Sequence, residues 1–387
     1  MSKTKAIGCA APSLCAVHTR RVLLVIDHLD SGGAPVVVRD LIVGMVGAGV
    51  DVTLVLLSDR QRHVLPSSVK VIKLPYVAAG VVARQLRYRH HARMLDEWLY
   101  RDAGNFDLTF VHLHRAHQIV SRSHLANTAW YCLHSDPVTE FLGNKSRVGG
   151  WLKRRKVRLL YNRKRIVTVS QGILARLESE FRVVPTRGLS IHNPVDIARI
   201  RYLSSLPVDD APDDFLLFVG RLDQRAKRFD RLLDAYRDSG VTLPLVLIGD
   251  GSAAHEVTTM IRERGLEERV WLIGARDNPF AYMARAKALL LSSDYEGFSL
   301  VLVEALACKT PVVSVDCPSG PAEILTGKLS RWLVPLNDRA AFAQAIIDVV
   351  VTPPVIHDDA CQRFDVSTVA SRYLDLGGDD GAPVHAQ

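Results

Sequence analysis

The sequence predicts an α/β protein with two doubly wound parallel sheets facing a central cleft. Three observations carry the prediction. Short runs of Val, Ile and Leu alternate with helix-period segments in two successive series, one before and one after residue 194. Glycines and charged residues fall at the carboxyl ends of those runs, where open parallel sheets bind ligands. An Asn193-Pro194 pair, which resists helix, separates the two series.

Residues 1–20 read as a disordered leader. Order begins at Arg21 with VLLVIDHL, a strand buried on both faces. It runs into Asp30-Ser31-Gly32-Gly33-Ala34-Pro35, where two glycines let backbone approach a ligand and Pro35 suits a first helical position. A helix is expected from Val36 to Val46, then strands at 51–57 and 69–74. An Arg- and His-rich helix follows over 81–100. Strands at 108–113 and 128–133 end in His112-Leu113-His114 and at His134. A strand at 166–170, a helix to Phe181 and one more strand lead to His192-Asn193. The second series has strands at 215–219, 245–248, 270–273, 288–291 and 311–315, with helices at 228–238 and 338–350. A last helix over 366–376 is expected to pack back on the first domain. The domains are therefore 21–194 and 195–365, with a disordered tail over 377–387.

The 387 residues suffice for two or three domains, and 48% hydrophobic with 23% charged residues is an ordinary globular balance. A net charge of +8 favours an anionic partner. Six scattered cysteines lack metal-ligand spacing, and Cys132 and Cys308 lie in apolar runs, which suggests buried thiols in a reducing compartment. Neither a signal peptide nor a transmembrane run is recognised, so a cytoplasmic protein, soluble or peripheral on the cytoplasmic face of the inner membrane, is expected.

The richest stretch is EGFSLVLVE, with Glu296 on a loop after a strand and Glu304 about two turns into the next helix. The N–H groups opening that helix suit a phosphate, and the carboxylates suit hydroxyl groups. Capping or helix-surface roles are the plain alternative. Arg221 and Lys227, in GRLDQRAKRFD, could neutralise a diphosphate, or remain solvated loop charges. His134 could orient a substrate through a ring N–H, act as a base, or be structural. The His112, His114, His117 run invites a metal reading, but a strand end does not converge the three rings, and no metal is expected. From Gly143 to Arg165 there are ten Lys or Arg and no acid, interleaved with Trp151, Leu152, Val157, Leu159 and Tyr161. Such a run can lie on anionic lipid, or be a solvated basic helix face.

Together these pieces resemble the retaining glycosyltransferases of family 4, whose two Rossmann-like domains form the GT-B fold. The most specific is SDYEGFSLVLVEALACKTPVVS, which looks like the family's E-x7-E segment; SGGAP, TVSQGI, IHNPVD, VGRLDQRAKRFDRLL, LIGDG and SGPAEIL follow in family order. The resemblance spans residues 21–376. It implies that Arg221 and Lys227 hold the donor diphosphate, Glu304 the ribose and Glu296 the donor sugar. Gly297, Phe298, Ser299 and Leu300 form the turn over sugar and phosphates, Gly32 and Gly33 the loop near phosphates and acceptor. His134 stands near the transferring carbon, and Gly274, Ala275 and Arg276 near the base. Three departures stand out: Arg221 and Lys227 are six residues apart where many relatives have five, Lys309 replaces a common glycine, and Pro35 replaces a polar residue.

The activity implied is metal-independent transfer, with retention, of a hexose or N-acetylhexosamine from a nucleotide-sugar, which the SGPAEIL segment suggests is UDP-linked. The acceptor would be a saccharide or lipid-linked saccharide of cell-surface polysaccharide or lipopolysaccharide synthesis, met at an anionic membrane through residues 143–165. The nucleotide-sugar is a co-substrate, so no cofactor is expected. A dinucleotide-dependent oxidoreductase would need a G-x-G-x-x-G fingerprint, which the first turn lacks although Asp51 stands at a suitable distance. A basic nucleic-acid-binding protein without catalysis is the other competing class; the resemblance points to no nucleic acid.

Overall fold

The computed structural model describes residues 19–377 apart from 31, 144 and 209, and the side chain of residue 102. Most of the expected leader, residues 378–387 of the expected tail, and Cys9 and Cys15 lie outside the described residues.

Among the described residues, thirteen strands form two all-parallel sheets. The first contains β1 (Arg21–Ile26), β2 (Asp51–Leu56), β3 (Lys70–Lys73), β4 (Leu108–His112), β5 (Trp130–Leu133), β6 (Arg165–Thr168) and β7 (Arg187–Ser190), in spatial order 3-2-1-4-5-6-7. The second contains β8 (Leu216–Val219), β9 (Leu245–Ile248), β10 (Val270–Gly274), β11 (Ala288–Leu291), β12 (Val312–Asp316) and β13 (Leu333–Pro335), in order 10-9-8-11-12-13. Both orders reverse beside the first strand of the series, between β1 and β4 and between β8 and β11. Ligands of doubly wound sheets bind at such reversals.

The strands form because their residues are apolar on both faces. Val22 to Ile26, Leu54 to Leu56 and Leu245 to Leu247 are wholly buried. On one face of the first sheet, helices Gly80–Trp98, His114–Val120, Arg147–Tyr161 and Gln171–Phe181 cover Leu23, Val25, Val111 and Tyr131. On the other, helix Gly33–Gly47 and the C-terminal helix Val366–Leu374 pack together over Leu24, Phe110 and Trp130. The chain crosses between domains twice, and the crossings bridge each other where Val195 N–H donates to Phe364 O at 2.8 Å.

Several boundaries differ from the sequence reading. The first helix opens at Gly33, so Pro35 is its third residue, where a missing N–H still costs no hydrogen bond. The helix expected at 228–238 is Phe229–Ser239, and a short helix not expected, Gln224–Lys227, precedes it, with Arg228 between them at φ 51°. The C-terminal helix ends at Leu374 and a 3-10 turn carries the chain to Gly377, so residue 377 does not open the tail. The basic run forms helix Arg147–Tyr161.

Candidate active site

The reversal in the second sheet brings the segments after β8 and β11 side by side. Lys227 Nζ lies 2.6 Å from Glu296 Oε1, and Ser293 donates its hydroxyl to the same oxygen at 2.6 Å. Both charged side chains are about seven-eighths buried, which makes the pair costly to break from one side only. The backbone around Lys227 is pinned in turn. Ser292 Oγ donates to Lys227 O at 2.6 Å, Asp294 N–H donates to Ala226 O at 2.9 Å, and Arg231 donates to Ser292 O at 2.7 Å. Arg231 and Arg228 both hold the Asp294 carboxylate. Arg221 is exposed and forms no ion pair among the described residues.

The turn after Glu296 leads into helix Leu300–Ala307 through Ser299 at φ 63°. Phe298 is buried, stacked on His192 with ring centroids 5.1 Å apart and edge-on to Phe364 at 5.4 Å. Ser299 Oγ is buried without a partner, close to the free N–H groups of the helix. Gly297 abuts the first domain: a Cβ there would stand 2.2 Å from the carbonyl oxygen of His134. Across the cleft, Gly32 sits at φ 110° before helix Gly33–Gly47, and a Cβ at Gly33 would lie 4.0 Å from Leu300 Cδ1. The first-domain residues His134 and Gly33 thus adjoin the turn at 297–300 that follows the Lys227–Glu296 pair.

Glu304 projects from the second turn of its helix toward the first domain. Burial pushes its carboxyl up to about 7; Asp40 adds to the rise, while Arg199 and Arg39 oppose it. Asp40 is itself buried beside Arg39, and burial raises it to about 6. Gly274 has φ 77°, Ala275 is exposed, and Arg276 is ion-paired with Asp210 at 2.6 Å and donates to Tyr282 OH at 3.0 Å.

The three rings of the histidine run diverge. His112 Nδ1 lies 2.9 Å from His134 Nε2, His117 bonds Tyr161 OH and Val111 O, and His114 packs on Phe141. Burial lowers His134 to about 4, so its ring is neutral near pH 7. Sequence reading missed Ser293, Asn193, the Asp40–Arg39 pair opposite Glu304, and the His192–Glu323 contact at 2.9 Å beneath Phe298. Ser293, His192, Asn193 and Glu323 stood within the quoted SDYEGFSLVLVE, IHNPVD and SGPAEIL segments, whereas Asp40 and Arg39 carried no such signal.

The chain matches two family profiles in tandem: "Glycosyltransferase Family 4" over residues 31–199 and "Glycosyl transferases group 1" over residues 208–363. Among curated relatives it is 29% identical, over 83% of this chain and 87% of the other, to N-acetylgalactosamine-N,N'-diacetylbacillosaminyl-diphospho-undecaprenol 4-alpha-N-acetylgalactosaminyltransferase of Campylobacter jejuni. It is 33% identical to lipopolysaccharide 1,6-galactosyltransferase of Salmonella typhimurium over 43% of this chain and 47% of that one. Two similar folds are the lipopolysaccharide outer core galactosyltransferase WaaB (TM-score 0.68, 20% identity, covering 92% and 98% of the two chains) and Anabaena HepE in complex with UDP (TM-score 0.67, 19% identity, 92% and 99%). With one profile on each domain, two facing parallel sheets and glycosyltransferase relatives along most of its length, the chain belongs to the family 4 type of glycosyltransferases with the GT-B fold.

Proposed function

We propose that this glycosyltransferase moves a hexose or N-acetylhexosamine from a UDP-sugar to a saccharide or lipid-linked saccharide in cell-surface polysaccharide or lipopolysaccharide synthesis, with retention and without a metal. The observation that carries the reading is the buried Lys227–Glu296 pair beside the N-terminus of helix Leu300–Ala307. A diphosphate seated on that N-terminus would meet the backbone N–H groups, Lys227 and the exposed Arg221. These donors stabilise the charge that develops on the leaving nucleoside diphosphate, the task a divalent cation performs elsewhere. Lys227 then exchanges part of its contact with Glu296 for phosphate, which frees Glu296 oxygens for the hydroxyls of the sugar. Glu304 takes the ribose hydroxyls, and the backbone at Gly274, Ala275 and Arg276, exposed at Ala275, faces the base. Bond breaking leads. The sugar becomes oxocarbenium-like between the domains, and the acceptor attacks from the face the diphosphate leaves. No side chain in this reading serves as a covalent nucleophile. The enclosed cleft favours transfer over hydrolysis.

The acceptor side rests on the first domain. Helix Arg147–Tyr161 buries Val157, Leu160 and Tyr161 and turns Val148, Trp151, Leu152 and Leu159 outward among its cations. Such a face suits the interface of an anionic bilayer on the cytoplasmic side. The Campylobacter relative, whose name carries a diphospho-undecaprenol acceptor, supports a lipid-linked acceptor.

The test is incubation with UDP-glucose, UDP-galactose, UDP-N-acetylglucosamine and UDP-N-acetylgalactosamine, with UDP release as readout. Slow release from one of them, abolished by Lys227→Ala, is expected. If no donor is turned over and none raises the melting temperature, the reading fails.

A further inference from the structure

His134 is backed by a second imidazole that the mechanism above leaves unused. His112 is the last residue of β4 and pairs in register with Cys132 of β5, two residues before His134. It is fully buried, and the two rings lie 5.2 Å apart at 30°. His112 Nδ1 and His134 Nε2 share one hydrogen bond of 2.9 Å. The outer nitrogens, His112 Nε2 and His134 Nδ1, are buried and unpartnered, and so is Asn193 Oδ1. Asn193 lies beside His134, near enough to favour a proton on that ring though short of a well-formed bond.

Counting protons decides the arrangement. Burial keeps both rings neutral near pH 7. Two neutral imidazoles carry two N–H groups on four nitrogens, and one N–H must fill the shared bond. Either way one buried N–H is left over. If His134 Nε2 supplies the shared bond, the leftover proton sits on His112 Nε2 in the core, and His134 Nδ1 and Asn193 Oδ1 are both acceptors without a partner. If His112 Nδ1 supplies it, the leftover proton sits on His134 Nδ1, beside Asn193, whose Oδ1 lacks a partner. Orphan buried N–H groups are the rarer defect, so the second arrangement, with the N–H beside an unpartnered acceptor, is favoured.

We propose that His112 is a positioning residue that donates to His134 and holds it as the Nδ1–H tautomer, so that His134 serves the donor sugar as a hydrogen-bond donor rather than as a general base. Its N–H awaits an oxygen, which a hydroxyl of the sugar supplies when it enters beside Asn193. The inference rests on the proposed placement of His134 at the transferring sugar. His112 touches no substrate and acts only through His134.

Two-bond 1H–15N correlation spectra of the full-length, 15N-histidine-labelled protein at pH 7.5 test the tautomer, with signals assigned by loss in His134→Ala and His112→Leu. His134 is expected with a protonated Nδ1 and a bare Nε2. In His112→Leu that preference should disappear. UDP release from the best donor of the panel should then fall at least about tenfold in kcat with the KM for donor little changed. His112→Asn, whose amide can donate from about the same place, should restore both tautomer and rate. A wild-type His134 protonated at Nε2 overturns the proposal, and so does a His112→Leu protein with wild-type kcat. If His112→Leu does not fold, the wild-type spectrum alone decides. A His134→Ala protein that transfers at the wild-type rate overturns the placement of His134 at the sugar and the predicted loss of rate, while the spectrum still reports on the tautomer.

Discussion

Glu304 stands where two demands on a carboxyl conflict. Burial opposite Asp40 lifts it from 4.5 to about 7, whereas the ribose hydroxyls proposed to bind it would donate to the charged form and pull it down. Ionisation therefore opposes the ligand-free fold as pH rises from 4.5 through 7, and binding relieves that opposition by releasing protons. Titration of UDP in buffers of different ionisation enthalpy should show proton release at pH 7 that fades by pH 9. UDP affinity should rise as pH passes upward through 7. The Asp40, Arg39 and Arg199 groups facing Glu304, and the phosphate itself, also contribute; the difference between wild type and Glu304→Gln isolates the carboxyl. Equal release by both proteins would remove Glu304 from the ribose. Gly297 offers a second test at this scale. An alanine Cβ would collide with His134 carbonyl oxygen at 2.2 Å, and that neighbour is backbone and cannot swing aside. Gly297→Ala should cost about 1–3 kcal/mol and slow UDP release. Gly47→Ala, where open space surrounds the new methyl, should leave both unchanged. The sequence makes Glu296, Glu304 and Gly297 legible because their spacing is local. Asp40 opposite Glu304, and His112 behind His134, depend on which strands and domains lie adjacent, and no local pattern carries that.

At the scale of elements, the strands were readable because their apolar runs are continuous. Ala288–Leu291 and Leu245–Ile248 fall on the expected residues. Elements with weak local signals were missed. β13 is three residues ending in Pro335 at the sheet edge, where a missing N–H is tolerated. Helix Ala254–Glu263 opens without a side-chain cap. Helices Pro137–Phe141 and Ile197–Ser204 are short and rely on Asp136 and Asp196 accepting from the N–H groups of Thr139 and Arg199. The basic helix Arg147–Tyr161 shows the reverse case: its charge was plain, but which residues face outward is settled only by packing. Trp151 and Leu152, 60% and 47% exposed, are with Val148 and Leu159 the apolar residues of this helix available to a bilayer. The double substitution Trp151→Ser, Leu152→Ser should lower affinity for vesicles of phosphatidylglycerol and phosphatidylcholine by about tenfold or more at low salt. UDP release by the protein in solution should not change. Co-sedimentation equal to wild type would leave this helix as a solvated basic face.

At the scale of the whole molecule, the two domains are joined by more than their crossings. Glu323, from the second domain, accepts from the backbone N–H groups of Gln171 and Gly172 at 3.0 and 3.2 Å, capping first-domain helix Gln171–Phe181. The same carboxylate pairs with His192, which stacks on Phe298 of the turn proposed to hold the donor. Gly172 is required there, since a Cβ would sit 2.6 Å from Ser319 Oγ. Burial raises the Glu323 carboxyl, but the bonds from His192, Gln171 and Gly172 outweigh it and leave a net lowering. This contribution is thus present above the ordinary glutamate range and lost as pH falls below it. Orphan helix N–H groups are satisfied by a carboxylate on another domain, so helix, crossing and donor turn are coupled. Glu323→Ala should leave the N–H groups of Gln171 and Gly172 without their acceptor, while Ser170 Oγ still holds Ile173 N–H, and cost about 2–4 kcal/mol, the worth of hydrogen bonds to a charged acceptor. Because two domains need not unfold together, amide hydrogen exchange is the better measure. The amides of residues 171 and 172 should exchange faster, and those around Phe298 should follow, while helix Val366–Leu374 keeps its protection. Faster exchange at 171 and 172 alone would show a local cap without coupling. Faster exchange at both, together with weaker UDP binding, is the outcome expected if domain contact positions the donor turn.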